Sequence, residues 1–246
     1  MRAAAAGALV ATVGGTVLLA VADGSASVSW GTAGNVTSAL VLTGAGALLH
    51  RRGASGRRIG SLLLLCGAAM AVNLLAGGYA ATGLPAHHAA EWLTWWLWAF
   101  SVIPLTTVLP AVFPTGRALT PRWRPVLWLG WAATAVTAAA SVVAAAVTDG
   151  PGAASEHWTI RLAGTLWTVA AAAALVALVV RWRRSDVTGR QQHKVLLLAF
   201  AVVVLIELVH GWLPYHVAQA AFLCVPLLPV AAIAVAVLRY RLYDVD

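Results

Sequence analysis

The sequence predicts an all-α, polytopic membrane bundle of about eight transmembrane helices with both termini on the cytoplasmic side. Three observations carry that expectation: an apolar bias beyond that of soluble domains, apolar runs of bilayer-spanning length, and a one-sided distribution of basic charge. Of 246 residues, 61% are hydrophobic and 10% charged, and the mean hydropathy is +0.85. Soluble domains carry about 25% charged residues. A helix needs about 20 apolar residues to cross the hydrocarbon core, and such runs fall at 4–22, 34–50, 60–82, 92–113, 126–147, 162–181, 195–214 and 217–238. Together they make one bundle over 1–238, followed by a juxtamembrane stub over 239–246. "LWTVAAAAALVALVV" (166–180) and "VLLLAFAVVVLIELV" (195–209) are apolar on every face, whereas a barrel strand would alternate polarity over about 10 residues.

The first run follows Arg2 as "AAAAGALVATVGGTVLLAVADGSA" and competes with a cleaved signal peptide. Signal-peptide cores run about 7–15 residues, so the longer run reads as a span; cleavage would leave seven. The second run ends at His50 before Arg51 and Arg52, and the third follows Arg57 and Arg58 and contains Cys66 and Asn73. The fourth opens with "EWLTWWLW" (91–98), carries Pro104 and Pro110, and ends in "FPTGR". "RWRP" introduces the fifth, the sixth ends at Arg181, and "RQQHK" introduces the seventh, which contains Glu207. The eighth holds Cys224, Pro226 and Pro229. Prolines in spans four and eight are tolerated in membranes because neighbouring groups satisfy the freed carbonyls. The two cysteines sit at different depths without metal-binding spacing, and read as small buried hydrophobes.

Lysine and arginine near span ends stay on the cytoplasmic side. With the N-terminus inside, the inner segments hold Arg2, the Arg51–Arg58 group, Arg117, Arg122 and Arg124, the 181–194 group, and Arg239 and Arg241, leaving only Arg161 outside. The net charge of +8 is thereby explained by orientation and by anionic inner-leaflet lipid, so the expected partner is the bilayer of a bacterial plasma membrane and not nucleic acid. Arg117, Arg122, Trp123, Arg124 and Arg190 read as inner anchors. The tryptophans near span ends suit the interface, and Trp131 and Trp167 fall deeper, as packing residues. An aromatic cage for a cation is the rival reading of the 91–98 cluster.

A charge at mid-membrane costs about 2.5–3.5 kcal/mol on insertion scales and is a functional hypothesis by default. Glu207 is the acidic residue inside a span, and His210 follows at i+3 on the same helical face. His216 and Gln219 stand across the tight turn, and Asn73 on the third span lies at a comparable depth, near 20 Å. Glu207, His210, Gln219, His216 and Asn73 therefore form the candidate polar pocket, its ligand unknown; the competing reading is an internal tie between helices.

Enzyme chemistry finds little support. There is no Gly-rich phosphate loop, no His-Glu-x-x-His helix and no Gly-x-Ser-x-Gly elbow. His87, His88 and Glu91 are the nearest acid-base set, too small and too solvated to imply a catalytic or metal site, and no cofactor is called for. Eight helices suffice for a small-solute or proton-coupled carrier with Glu207 as coupling site, but the repeats common in carriers are not visible between 1–125 and 126–246. A structural membrane subunit is the third class.

"RRGASGRRIGSLLL" (51–64), "FPTGRALTPRWRPV" (113–126), "GRQQHKVLLLAFA" (189–201) and "VAVLRYRLYDVD" (235–246), in this order and spacing, resemble the membrane-spanning input region of actinobacterial sensor histidine kinases of two-component systems. The resemblance implies that the terminal run leads into cytoplasmic dimerisation and ATP-binding domains, and that the module pairs as a homodimer or works on a separate kinase or response regulator. The chain carries no phosphoacceptor segment and no nucleotide-binding boxes, so it is expected not to autophosphorylate as it stands. His193, in "RQQHK", reads as variation at the foot of span seven. The resulting expectation is a sensory module in which Glu207, His210 and Gln219 respond to a stimulus and Arg239, Tyr240, Arg241, Tyr243 and Asp244 transmit it.

Overall fold

The computed structural model describes residues 2–22, 30–148, 157–185, 187–209, 212–213 and 215–240. They form eight long helices: α1 (Arg2–Ala22), α2 (Trp30–His50), α3 (Gly53–Ala81), α4 (His87–Val112), α5 (Arg124–Val147), α6 (Trp158–Arg184), α7 (Val187–Val209) and α8 (Tyr215–Tyr240). One 3-10 turn, Pro121–Trp123, leads into α5. No strand occurs among the described residues. The all-α expectation therefore holds.

Several helices overrun the apolar spans expected from sequence. α3 starts at Gly53 and not near 60, α6 continues to Arg184, and α7 starts at Val187. Apolar content measures the hydrocarbon, whereas backbone hydrogen bonding carries a helix on into the charged interface, where Arg57, Arg58, Arg183 and Arg184 lie. Six segments, within α1 to α6 and including the 3-10 turn before α5, are long and apolar enough to cross a membrane. α7 and α8 contribute the shorter apolar stretches His193–Ile206 and Val225–Ala236. The chain is thus a multi-pass membrane protein by helix length and composition. At 1.5 Å per residue, the 26 residues of α4 extend about 39 Å, enough to cross a core of about 30 Å.

The bundle is built around α4, which packs against α3, α5, α6, α7 and α8; α2 lies between α3 and α8, and α1 rests on α2 and α3. Every residue from 101 to 113 is buried. Leu105, Leu109 and Phe113 join a core with Ile59 and Leu63 of α3, Leu178 of α6 and Phe200 of α7. Outward, the helices expose Val10, Val17, Leu65, Val143, Val176 and Leu198. Large apolar side chains spread over several helices would be a liability in water and suit a lipid-facing surface.

Lipid supplies no hydrophobic drive between helices, so association depends on close packing and hydrogen bonds, and small residues let backbones approach. A Cβ on Gly15 of α1 would lie 2.6 Å from the backbone of Leu74 in α3, and one on Gly78 of α3 would run into the Gly15 carbonyl. A Cβ on Gly60 would lie 2.6 Å from the Gly46 carbonyl oxygen of α2. These glycines fix how α1 and α2 sit on α3.

Trp131 is partly buried against the core. Trp167 on α6 donates its indole N–H to Thr106 Oγ1 on α4 at 2.8 Å, so both act as packing residues. Trp98, expected at the outer rim, instead stacks near Trp167 with ring centroids 6.2 Å apart and contacts two core clusters. The reason is the central position of α4: Trp98 stands about three turns into the helix, just before the stretch from 101 that is buried on every side. Trp92, Trp128 and Trp158 are exposed, as interfacial anchors would be.

Candidate functional site at the arginine-rich end

The basic ends of α3 and α6 meet at the segment after α4. That helix stops at Val112, and Phe113 turns extended before Pro114. Gly116 has φ +69°, and its N–H donates to the Val112 carbonyl at 2.8 Å. A positive φ costs an L-residue roughly 1–2 kcal/mol, which accounts for glycine in "FPTGR". The turn also sits directly on α3, because a Cβ at Gly116 would collide with Arg58 Cβ.

Arg181, in the last turn of α6, is 6% exposed. Its Nη2 donates to the Ala111 carbonyl at 3.1 Å and the Arg117 carbonyl at 2.9 Å, while Nη1 donates to Thr115 Oγ1 at 3.3 Å. From α3, Arg58 Nη1 donates to the Thr115 carbonyl at 3.5 Å. Two arginines from two helices thus hold one seven-residue stretch, 111–117. No carboxylate pairs with Arg181 among the described residues. Its charge instead faces carbonyls at the C-terminal end of α4 while standing at the C-terminal end of α6, and helix C-termini carry partial negative charge of about half an electron.

The joint extends to α7. Ser185 Oγ donates to the Arg181 carbonyl at 2.8 Å and lies 3.5 Å from His193 Nδ1. His193 is buried and meets the Phe113 ring edge-on, with centroids 6.3 Å apart. Phe113 itself is fully buried. A continuous set of polar and aromatic contacts therefore links α3, the end of α4, α6 and α7.

At the other end of α4, a cavity of about 320 Å³ opens between α4 and α5, lined by His88, Glu91, Trp92, Trp95, Val142 and Thr148 among others. His88 Nδ1 lies 3.8 Å from Glu91 Oε2. A carboxylate with indole faces is chemistry that receives an organic cation. No cluster of three or more metal-ligating side chains occurs among the described residues.

Of the pocket residues expected from sequence, Asn73 is half-buried and donates its amide N–H to the Thr94 carbonyl of α4 at 3.1 Å. It ties α3 to α4. Glu207 stands on α7 one turn beyond buried Val203, and His216 and Gln219 stand on the first turns of α8. The side chains of those three, and His210 entirely, lie outside the described residues. The expected transmitting group lies there too: Arg239 and Tyr240 complete α8 without described side chains, and Arg241, Tyr243 and Asp244 fall beyond it.

Among the expected anchors, Arg117, Arg122 and Arg124 are exposed, and Trp123 packs partly buried against Ala111, Ala174 and Ala177. Arg190 is exposed and donates to the Arg183 carbonyl at 3.4 Å. Sequence reasoning missed Arg58, Thr115 and His193 as a group and treated Arg181 as an orientation charge. The available signal was depth: Arg181 is the first basic residue of "RWRR", one turn nearer the apolar run than Arg184. No family model, no curated protein and no solved structure matches the chain.

Proposed function

We propose that this chain is an integral-membrane sensory module of the two-component type, in which α4 carries a change from the outer cavity to the arginine-rich end. All eight helices cross the membrane in this reading. The lysine and arginine bias supports an orientation with both termini and the Arg58–Arg181 joint on the cytoplasmic side, in a bacterial plasma membrane on this reading. The observation that carries it is the arrangement of α4: its first turns line a cavity, its middle is buried on every side, and its end is held by directional hydrogen bonds from α3 and α6. A rigid element with a ligand-accessible end and a hydrogen-bonded end can couple two sites.

The resemblance of "FPTGR", "RQQHK" and "LRYRLYDVD" to the input region of sensor histidine kinases supports the same assignment, because two of these motifs supply Phe113, Thr115, Gly116, Arg117 and His193 to the joint. The output passes along α7 and α8 to Arg239, Tyr240 and the residues after them, and acts on a kinase as a homodimer or through a separate partner.

The test is a fusion of the chain, through its C-terminus, to the dimerisation and ATP-binding region of a histidine kinase, with autophosphorylation measured in membrane vesicles. Arg181→Met is expected to change the rate roughly fivefold or more, the low end of ordinary allosteric coupling. A rate indifferent to Arg181→Met at equal membrane expression overturns the proposal. So does solute or proton uptake by the unfused chain that is lost in Glu207→Gln, since that flux identifies a carrier.

A further inference from the structure

Beside the joint, the segment leaving α4 and the start of α5 enclose a cleft of about 380 Å³, lined by Arg117, Leu119, Thr120, Pro121, Arg124 and Leu127. The two arginines come to one opening because the turn Pro121–Trp123 folds the chain back into α5. Both are exposed, and no carboxylate pairs with either among the described residues. Two unpaired like charges around one cleft repel, and an anion between them converts that repulsion into attraction.

The lining is divided in a way that narrows the anion. Arg117, Arg124 and Thr120 offer guanidinium and hydroxyl donors, whereas Leu119, Pro121 and Leu127 form an apolar wall. Guanidinium groups match the oxygens of a phosphate as paired donors. A free phosphate would leave the leucines uncovered, but a phospholipid sets its first acyl carbons against them. The depth agrees, since Trp128 is 71% exposed one turn along α5 and Trp123 adjoins it, and tryptophan prefers the headgroup region.

We propose that this cleft binds the phosphate headgroup of an anionic lipid, with Arg117 and Arg124 on the phosphate oxygens and the acyl chain against Leu119 and Leu127. The Arg117 carbonyl is one of the three acceptors of Arg181, so the bound lipid adjoins the joint through the backbone of one residue. The lipid site stands whether or not the chain signals.

The experiment uses the full chain in nanodiscs of phosphatidylcholine containing a minor fraction of phosphatidylglycerol, with bound phosphatidylglycerol counted by native mass spectrometry. Arg117→Gln with Arg124→Gln is expected to weaken retention roughly thirtyfold, the fold-change for two basic residues at about 1 kcal/mol each. Arg183→Gln with Arg184→Gln, at the same end but off the cleft, is expected to leave it nearly unchanged. If the double variant fails to fold, Arg124→Gln alone is expected to weaken retention about fivefold. Equal loss in both pairs overturns the proposal, because the attraction is then diffuse. Displacement of the lipid by inorganic phosphate as readily as by short-chain phosphatidylglycerol also overturns it, because the ligand is then a soluble anion.

Discussion

Arg181→Met removes the guanidinium while keeping an unbranched side chain in the same space. Three acceptors then lose their donor: the carbonyls of Ala111 and Arg117 and the hydroxyl oxygen of Thr115. Ala111 is buried, and leaving a buried acceptor unsatisfied costs about 1–3 kcal/mol. Thr115 and Arg117 are exposed, so water replaces the guanidinium there and each loss stays within about 0.5–1.5 kcal/mol. Relief of the buried charge offsets part of the total, which leaves an expected net destabilisation of about 1–3 kcal/mol. Arg181→Lys keeps the charge but not the fork, and should fall between the parent and Arg181→Met. The assay is SDS-induced unfolding of the purified chain in mixed micelles, followed by helical circular dichroism. A double-mutant cycle with Thr115→Ala isolates one contact, and its coupling should be about 0.5–1.5 kcal/mol. An Arg181→Met variant as stable as the parent, with coupling to Thr115→Ala near zero, would show that the contacts at the end of α4 do not hold the joint.

The same titration checks two further expectations, and disulfide crosslinking checks a third. Gly116→Ala should cost more than Gly83→Ala: both have positive φ, at +69° and +65°, but only the first would collide with Arg58. Strain alone accounts for roughly 1–2 kcal/mol, and equal losses would refute the close approach of α3. Trp167→Phe removes the indole donor to Thr106 and should cost about 0.6 kcal/mol, the membrane average, or up to about 1.7; Thr106→Val on top of it should add little, and full additivity would mean the bond is not formed. Gly15→Leu should separate α1 from α3, lowering the disulfide yield between Gly14→Cys and Leu75→Cys, positions where a Cβ at Gly14 lies 3.4 Å from Leu75 Cδ1; an unchanged yield would refute that interface.

Apolar run length made the helices legible in sequence, because in hydrocarbon every backbone polar group must be satisfied within the segment. Their order around α4 was not legible, since the spans are apolar on several faces and no stripe points to a neighbour. Residues 101–113 differ from the other spans by being buried all round, yet they read as an ordinary run of Val, Leu, Ile, Thr and Pro. The joint was half legible. "FPTGR" announced a turn through its proline and glycine, but Arg181 lies 66 positions from Thr115 and 70 from Ala111, and a pairing of guanidinium with backbone carbonyls leaves no complementary residue type to look for. Asn73 was legible as a polar residue within a span, but not its bond to a backbone carbonyl of α4; a carbonyl partner is equally invisible to a reading of side chains.

In the proposed sensory reading, the same feature that hid the joint would make its response abrupt. The three Arg181 bonds span 2.9–3.3 Å, and a hydrogen bond between heavy atoms is largely gone past 3.5 Å. An axial shift of α4 by one residue, about 1.5 Å, therefore threatens all three bonds together, because the acceptors lie on one segment and the donors on one guanidinium. Between its N-terminal end and the joint, α4 is held by single hydrogen bonds from separate neighbours, Asn73 to the Thr94 carbonyl at 3.1 Å and Trp167 to Thr106 Oγ1 at 2.8 Å, and by more tolerant contacts such as the Trp98–Trp167 ring pair at 6.2 Å. Strain introduced at the cavity would meet those bonds one at a time and would be resisted at the joint until the three Arg181 bonds break as a set. Ser185, bonded to the Arg181 carbonyl and adjacent to His193, would carry the release from α6 into α7. Packed interfaces of this kind respond by switching between discrete arrangements more readily than by deforming continuously.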